Sequence, residues 1–221
     1  MGERRDAREA FLKEHEALLA EPEFQLVSLL KKYDLTIAAA ESCTGGLVSA
    51  KIVNVPGASA VFKEGFVTYS NKAKRRTLDV QKSTIRREGA ISEQTAKEMA
   101  MGAAMMADTD MAVSTTGNAG PVCEEEKPAG LVYIGVYCGG KVKAFEYHFE
   151  GDRSAVREQA AREALLLAGR AVLKMKEKKE RDAKETKELK EAKEPKEAKE
   201  LKEAKELKET KESKRQRRLS L

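Results

Sequence analysis

In AAAESCTGGL, residues 38–47, three potential nucleophiles stand in a row: Ser42, Cys43 and Thr44, between Glu41 and two glycines. A nucleophile becomes an acyl-transfer site only with a base to take its proton and donors for the oxyanion. Gly45 and Gly46 would let a substrate approach the N–H groups at a helix start, whose dipole favours negative charge. The plainer alternative is a hydroxyl cap on a helix. The base is the harder requirement, because the chain holds only two histidines. His15 lies among charged residues, and His148 lies near the end of a predicted strand, with no second feature to complete a Ser-His-Asp triad. Neither the histidines nor Cys43, Cys123 and Cys138 show metal-ligand spacing. Lysine or tyrosine is left. TYSNKAK (68–74) places Tyr69 and Lys74 where a strand meets a helix, the part of an α/β fold that carries chemistry. A lysine base needs desolvation or nearby cations to lose its proton near neutrality, and Lys72, Arg75 and Arg76 flank Lys74.

Two further junctions join these. TTGNAGP (115–121) offers Gly117 and Gly120 for close backbone approach, and GDR (151–153) opens a helix whose N–H groups and Arg153 suit a phosphate. Each has an ordinary reading, as a turn or as an Asp cap.

The elements that must position these loops follow from periodicity. Residues 5–32 read as helix, split by Pro22. LTIAAA (35–40) reads as a buried strand, 45–54 as a short helix, and SAVFKEGFVTYS (59–70) contains a strand. Residues 71–88 read as mostly helical, and Ser92 caps a helix over 93–107. MAVSTT (111–116) is a strand. LVYIGVYC and KVKAFEYHF flank Gly139-Gly140, a hairpin signal. Asp152 opens a last helix with Val156, Ala160, Ala164, Leu167, Ala171 and Val172 on its apolar face. Alternating helices and strands with one hairpin predict a layered α/β/α domain around a mixed β-sheet.

Charge divides the chain. Residues 174–221 hold 19 Lys/Arg against 13 Asp/Glu, and residues 1–173 hold 23 against 24, so the basic excess belongs to the tail. The tail repeats x-Lys-Glu. Its like charges meet at i,i+3, and its third positions drift around a helix without forming a stripe. We expect a low-complexity tail, disordered or a fluctuating helix. The interleaved glutamates oppose nucleic-acid binding, and KRQRR (214–218) reads as a solvated terminus. Three cysteines without paired spacing, a charged start unlike a signal peptide and no apolar run of membrane length point to a cytoplasmic protein.

ESCTGG, GFVTYSNKAK, GAISEQTAKEMA, TGNAGP, KPAG and GDR followed by Val156-Arg157 occur in this order. Together they resemble the CinA C-terminal domain family, of the nicotinamide-nucleotide amidohydrolase (PncC) type, over about residues 25–173. The resulting division is an N-terminal helical extension (1–24), the amidohydrolase-like domain (25–173) and the Lys/Glu tail (174–221). The resemblance implies a domain, often a homodimer, that deamidates nicotinamide mononucleotide to nicotinate mononucleotide and ammonia, with no metal or organic cofactor. It implies Ser42 as nucleophile, Tyr69 and Lys74 as catalytic partners, and Thr44, Gly45, Gly46, Gly117 and Arg153 around the substrate. Two departures stand out: Asn118 in a loop that more often reads G-I-A-G-P, and the acidic segment VCEEE (122–126). They support the alternative, a non-catalytic regulatory or nucleotide-binding module with the same fold.

Overall fold

In the computed structural model, Ile37–Glu41 (β1) is buried at all five positions. Such a strand needs cover on both faces, which is why it reads as a continuous small-apolar run instead of an alternation. It is the second strand of a five-stranded sheet of order β2-β1-β3-β4-β5. Phe62–Val67 (β2) and Met111–Gly117 (β3) lie parallel to β1 on either side. Leu131–Cys138 (β4) and Lys141–His148 (β5) continue antiparallel, so the sheet is mixed. Gly139 and Gly140 carry φ of 58° and 75°, the left-handed pair a two-residue hairpin turn demands. Glu41 sits opposite both Val67 and Thr115, so the three parallel strands end level with one another.

The structure describes residues 21–122 and 125–219, with side chains through residue 186. Six α-helices are present among them. Pro22–Tyr33 (α1) starts with proline in its first turn, where the missing N–H costs nothing, and ends at Asp34 in the left-handed region. Leu47–Val53 (α2) follows β1. The mostly helical stretch expected over 71–88 is two helices, Asn71–Leu78 (α3) and Lys82–Glu88 (α4), because Asp79, at φ 53°, breaks the run. Glu93–Met106 (α5) is capped by Ser92, whose Oγ accepts from the Thr95 N–H at 3.2 Å. The last helix, α6, is assigned over Arg153–Leu219. The Ala155 N–H donates to Asp152 Oδ1, as a helix-opening aspartate should arrange.

Alternate faces of the sheet feed two cores. Ile37, Ala39, Met111, Val113, Val132 and Ile134 pack against α1, α2 and the first part of α6. Ala38, Ala40, Phe66 and Ala112 pack against Leu78 of α3 and Met99, Ala103 and Ala104 of α5. This is the layered α/β/α arrangement expected.

The chain divides into two units, meeting between Met175 and Lys176. The second, Lys176–Leu221, is helical through Leu219, Pro195 included, where the sequence reading allowed disorder or a fluctuating helix; its residues 177–186 are exposed. The helical extension expected over 1–24 lies outside the described residues up to 20, and Pro22 onward belongs to α1, whose Leu26 and Leu30 are core residues. No helix among the described residues is long and apolar enough to cross a membrane.

Candidate active site

Ser42 follows β1 directly. Its N–H donates to the Thr115 carbonyl of β3 at 2.9 Å, which ties the loop to the neighbouring strand. Strand alternation turns its side chain to the α3/α5 face, where Lys74 enters from the first turn of α3. Ser70 caps that helix, its Oγ accepting from the Ala73 N–H at 3.1 Å. Lys74 Nζ donates to Ser42 Oγ at 2.9 Å, to the Thr68 carbonyl at 3.1 Å and to the Tyr69 carbonyl at 3.5 Å.

Lys74 is 1% exposed and forms no ion pair among the described residues. Burial lowers its pKa below the usual lysine value, and the neighbouring Cys43 and Glu125 oppose that shift. The expected cationic neighbourhood of Lys72, Arg75 and Arg76 is not the cause: all three side chains lie on the exposed face of α3. Desolvation alone disfavours the ammonium. A buried amine with a weakened hold on its proton, in hydrogen-bond contact with a serine hydroxyl, has the geometry that a nucleophile and its base require.

Cys43 takes no part in this pair. It is 6% exposed within the α1/α2/α6 core, and burial pushes its thiol up to about 12. Only thiolate is strongly nucleophilic, so Cys43 is inert near neutrality.

The remaining expected residues separate. The Tyr69 ring is 61% exposed, and its hydroxyl accepts from Arg153 Nη2 at 2.9 Å. Tyr69 therefore meets Lys74 through its backbone carbonyl, and its hydroxyl lies on the arginine at the rim. Arg153 Nη1 also donates to the Gly120 carbonyl at 2.8 Å, joining the GDR helix start to the TGNAGP loop. Arg157, one turn further along α6, donates to the Thr44 carbonyl at 2.8 Å. Sequence reasoning gave Arg157 no role, although its i+4 spacing from Arg153 puts both on one helix face.

Gly45 and Gly46 have φ of 61° and 98°, and a Cβ there would meet only ordinary contacts, so backbone conformation is what calls for glycine. At Gly117 a Cβ would lie 2.6 Å from the Leu131 carbonyl oxygen and 2.7 Å from Val132 Cα, so its bareness serves the β3–β4 approach. Thr44 is fully buried, and its hydroxyl bonds Glu41 Oε2 and Thr115 Oγ1, each at 2.7 Å, inside the loop.

The helix-cap expectation also changes. Ser42, Cys43 and Thr44 do not cap α2; its N-cap position is Gly46, and the capping group is the Glu41 carboxylate. Glu41 Oε2 accepts from the Gly46 and Val48 N–H groups at 2.9 and 3.0 Å, and Oε1 from the Ser49 N–H at 2.8 Å. Those donors are occupied and do not form the expected oxyanion site. An acidic residue just ahead of a helix start is the signal that could have found this.

Asn118 is 2% exposed and clasps its own loop. Its Nδ2 donates to the Val122 and Lys127 carbonyls at 2.8 and 3.0 Å, and its Oδ1 accepts from the Gly120 N–H at 2.8 Å. Within the acidic segment, Cys123 and Glu124 lie outside the described residues, and Glu125 accepts from the Ile91 N–H at 3.1 Å. Asn118 thus shapes the loop from inside. No group of three or more His, Cys, Asp or Glu suited to a metal occurs among the described residues.

Comparison with known proteins places this geometry. The family model of the CinA C-terminal domain matches residues 20–172. A CinA-like protein of Kosmotoga olearia is 52% identical over 149 residues, 67% of this chain and 36% of that protein. This chain spans about a third of the length of the curated relatives it matches. Among solved structures, a CinA superfamily protein from Klebsiella pneumoniae is 32% identical with a TM-score of 0.68, covering 69% of this chain and 96% of that one. A competence/damage inducible protein from Agrobacterium tumefaciens is 37% identical with a TM-score of 0.64, covering 68% and 96%.

Proposed function

This chain belongs to the CinA C-terminal domain family, and from that premise we propose that it is a serine amidohydrolase that deamidates nicotinamide mononucleotide. The observation that carries the reading is the 2.9 Å contact between buried Lys74 and Ser42. Neutral Lys74 takes the proton from Ser42 Oγ as that oxygen attacks the carboxamide carbon. The tetrahedral intermediate collapses, the Lys74 ammonium returns the proton to the leaving nitrogen, and ammonia departs. Water then attacks the acyl-serine with Lys74 again accepting a proton, which releases the carboxylate product and restores Ser42.

The rim fits the rest of such a substrate. Arg153 and Arg157 edge the Ser42 loop through the Tyr69 hydroxyl and the Thr44 carbonyl, a placement suited to a phosphate. The Glu125 carboxylate, near enough to act on Lys74, suits the cationic pyridinium ring. The proposal includes a cytoplasmic homodimer, and light scattering at the mass of a single chain would remove the dimer from it.

Ammonia release is the test, with pyridine nucleotides and simple amides offered to the purified protein. Turnover of nicotinamide mononucleotide that Ser42→Ala abolishes supports the reading. Binding of the nucleotide without turnover would replace it with the non-catalytic module.

A further inference from the structure

Glu41 is 1% exposed, and an ionised carboxylate so far from water must be matched by donors. It has five. The Thr44 hydroxyl and the Gly46 and Val48 N–H groups serve Oε2; the Ser49 N–H and the Ser49 hydroxyl, at 2.7 Å, serve Oε1. Residues 44–49 are therefore folded around one anion. A serine or aspartate at the N-cap would cap a seven-residue helix without burying a charge in the strand behind it. Capping alone does not explain Glu41.

Its place in the chain does. Glu41 immediately precedes Ser42, and its carbonyl accepts from the Thr68 N–H at 2.8 Å, at the end of β2. Thr68 is also the residue whose carbonyl holds Lys74 Nζ. On the other side, the Thr44 hydroxyl bridges Glu41 to Thr115, whose carbonyl holds the Ser42 N–H. Backbone and side chain of one residue thus connect to the β2 end that seats the base, the β3 end that seats the nucleophile, and the α2 start that closes the loop. The same carboxylate occupies the first donors of α2 and shuts that helix end to a second anion.

We propose that Glu41 is a positioning residue for the reaction: it holds Ser42 Oγ in register with Lys74 Nζ without touching substrate. The inference rests on the reading of Ser42 and Lys74 as nucleophile and base. A displacement of about an ångström in such a pair costs on the order of a hundredfold in rate.

The test compares Glu41→Gln with the intact chain by ammonia release from nicotinamide mononucleotide and by labelling of Ser42 with a fluorophosphonate. The amide keeps the shape but turns an NH2 toward groups that are themselves donors. We expect kcat to fall about a hundredfold, KM to stay within about threefold, and the labelling rate to fall in parallel. A merely structural residue would lower the melting temperature and leave the kcat and labelling of the folded protein unchanged; that result overturns the assignment. Should Glu41→Gln not fold, Thr44→Val and Thr44→Ser decide. Valine cuts the bridge to Thr115 and should cost about tenfold in kcat, and serine, which keeps the hydroxyl, should restore it; equal activity in both overturns the proposal. An intact chain that neither releases ammonia nor is labelled at Ser42 sinks the amidohydrolase reading itself, an outcome distinct from active variants.

Discussion

Replacing Lys74 by arginine asks what the buried amine does. Arginine keeps the charge and cannot usefully give up its proton. If Lys74 acts as a fixed cation, Lys74→Arg retains function. If it acts as a base, Lys74→Arg is as damaging as Lys74→Met, which keeps much of the volume but has neither charge nor proton. Two observations support the base: among the described residues no carboxylate pairs with Lys74, and burial already weakens its hold on the proton. Loss of a positioned general base costs about 10²–10⁴ in rate, or roughly 3–5 kcal/mol at 1.36 kcal/mol per decade. Arginine adds a folding cost. Lys74 has three oxygen acceptors, two of them main-chain carbonyls, and a guanidinium carries five N–H groups. Two donors would be left over in a site that is 1% exposed, each unsatisfied group costing about 1–3 kcal/mol. Lys74→Arg should therefore be inactive and melt lower than Lys74→Met. Acidity gives a second readout in the intact protein. The unfolded chain holds the Lys74 proton to about pH 10, and the folded chain releases it earlier. Between those values the unfolded state binds more protons, so Lys74's contribution makes stability rise with pH across that window, and its penalty is fully present in acid. Activity should likewise rise with pH as the amine becomes neutral. Steady-state ammonia release from pH 5 to 10, with thermal melts of all three proteins, measures these effects. Retention of more than about a tenth of the rate by Lys74→Arg, a loss under roughly 1.4 kcal/mol, would refute the base assignment.

Glu125 opposes the lowering at Lys74, so Glu125→Gln should move the acid limb of the activity profile to lower pH, and a shift upward would contradict the electrostatic account. Cys43→Ala should cost about 1 kcal/mol of stability, typical of a point substitution, and little activity; rapid alkylation of native Cys43 at pH 8 would show that the thiol is not held near 12. Gly117→Ala should destabilise by roughly 1–3 kcal/mol through overpacking against β4, and an unchanged melting temperature with weakened substrate binding would return Gly117 to the substrate site. Truncation after Lys176, past the end of the larger unit, should leave turnover within about tenfold, or roughly 1.4 kcal/mol; a larger loss would mean that the tail serves the site.

What the sequence determined by itself is the set of elements, because local physics decides them. Period-two and period-3.6 patterns, Ser92 and Asp152 as caps and the Gly139-Gly140 turn all act within a few residues, and the structure carries each one. Motif order also brought Ser42 and Lys74 forward together. Their contact belongs to the tertiary structure, since 32 residues separate them and only the parallel pairing of β1 with β2 returns α3 to the end of β1. Burial was decided there as well. Flanking cations looked able to lower Lys74's hold on its proton, but α3 turns them to solvent and the amine inward. Glu41 read as one more charge before a nucleophile; its five donors come from residues 44–49, close in the chain, but its links to Thr68 and, through the Thr44 hydroxyl, to Thr115 depend on the sheet. The family resemblance implied Thr44 and Gly117 at the substrate; only the neighbouring strands show that Thr115 and Glu41 take the Thr44 hydroxyl and that β4 presses on Gly117. Residue type and spacing specify what a side chain can do; what surrounds it, and hence whether it does so, is set by segments distant in the chain.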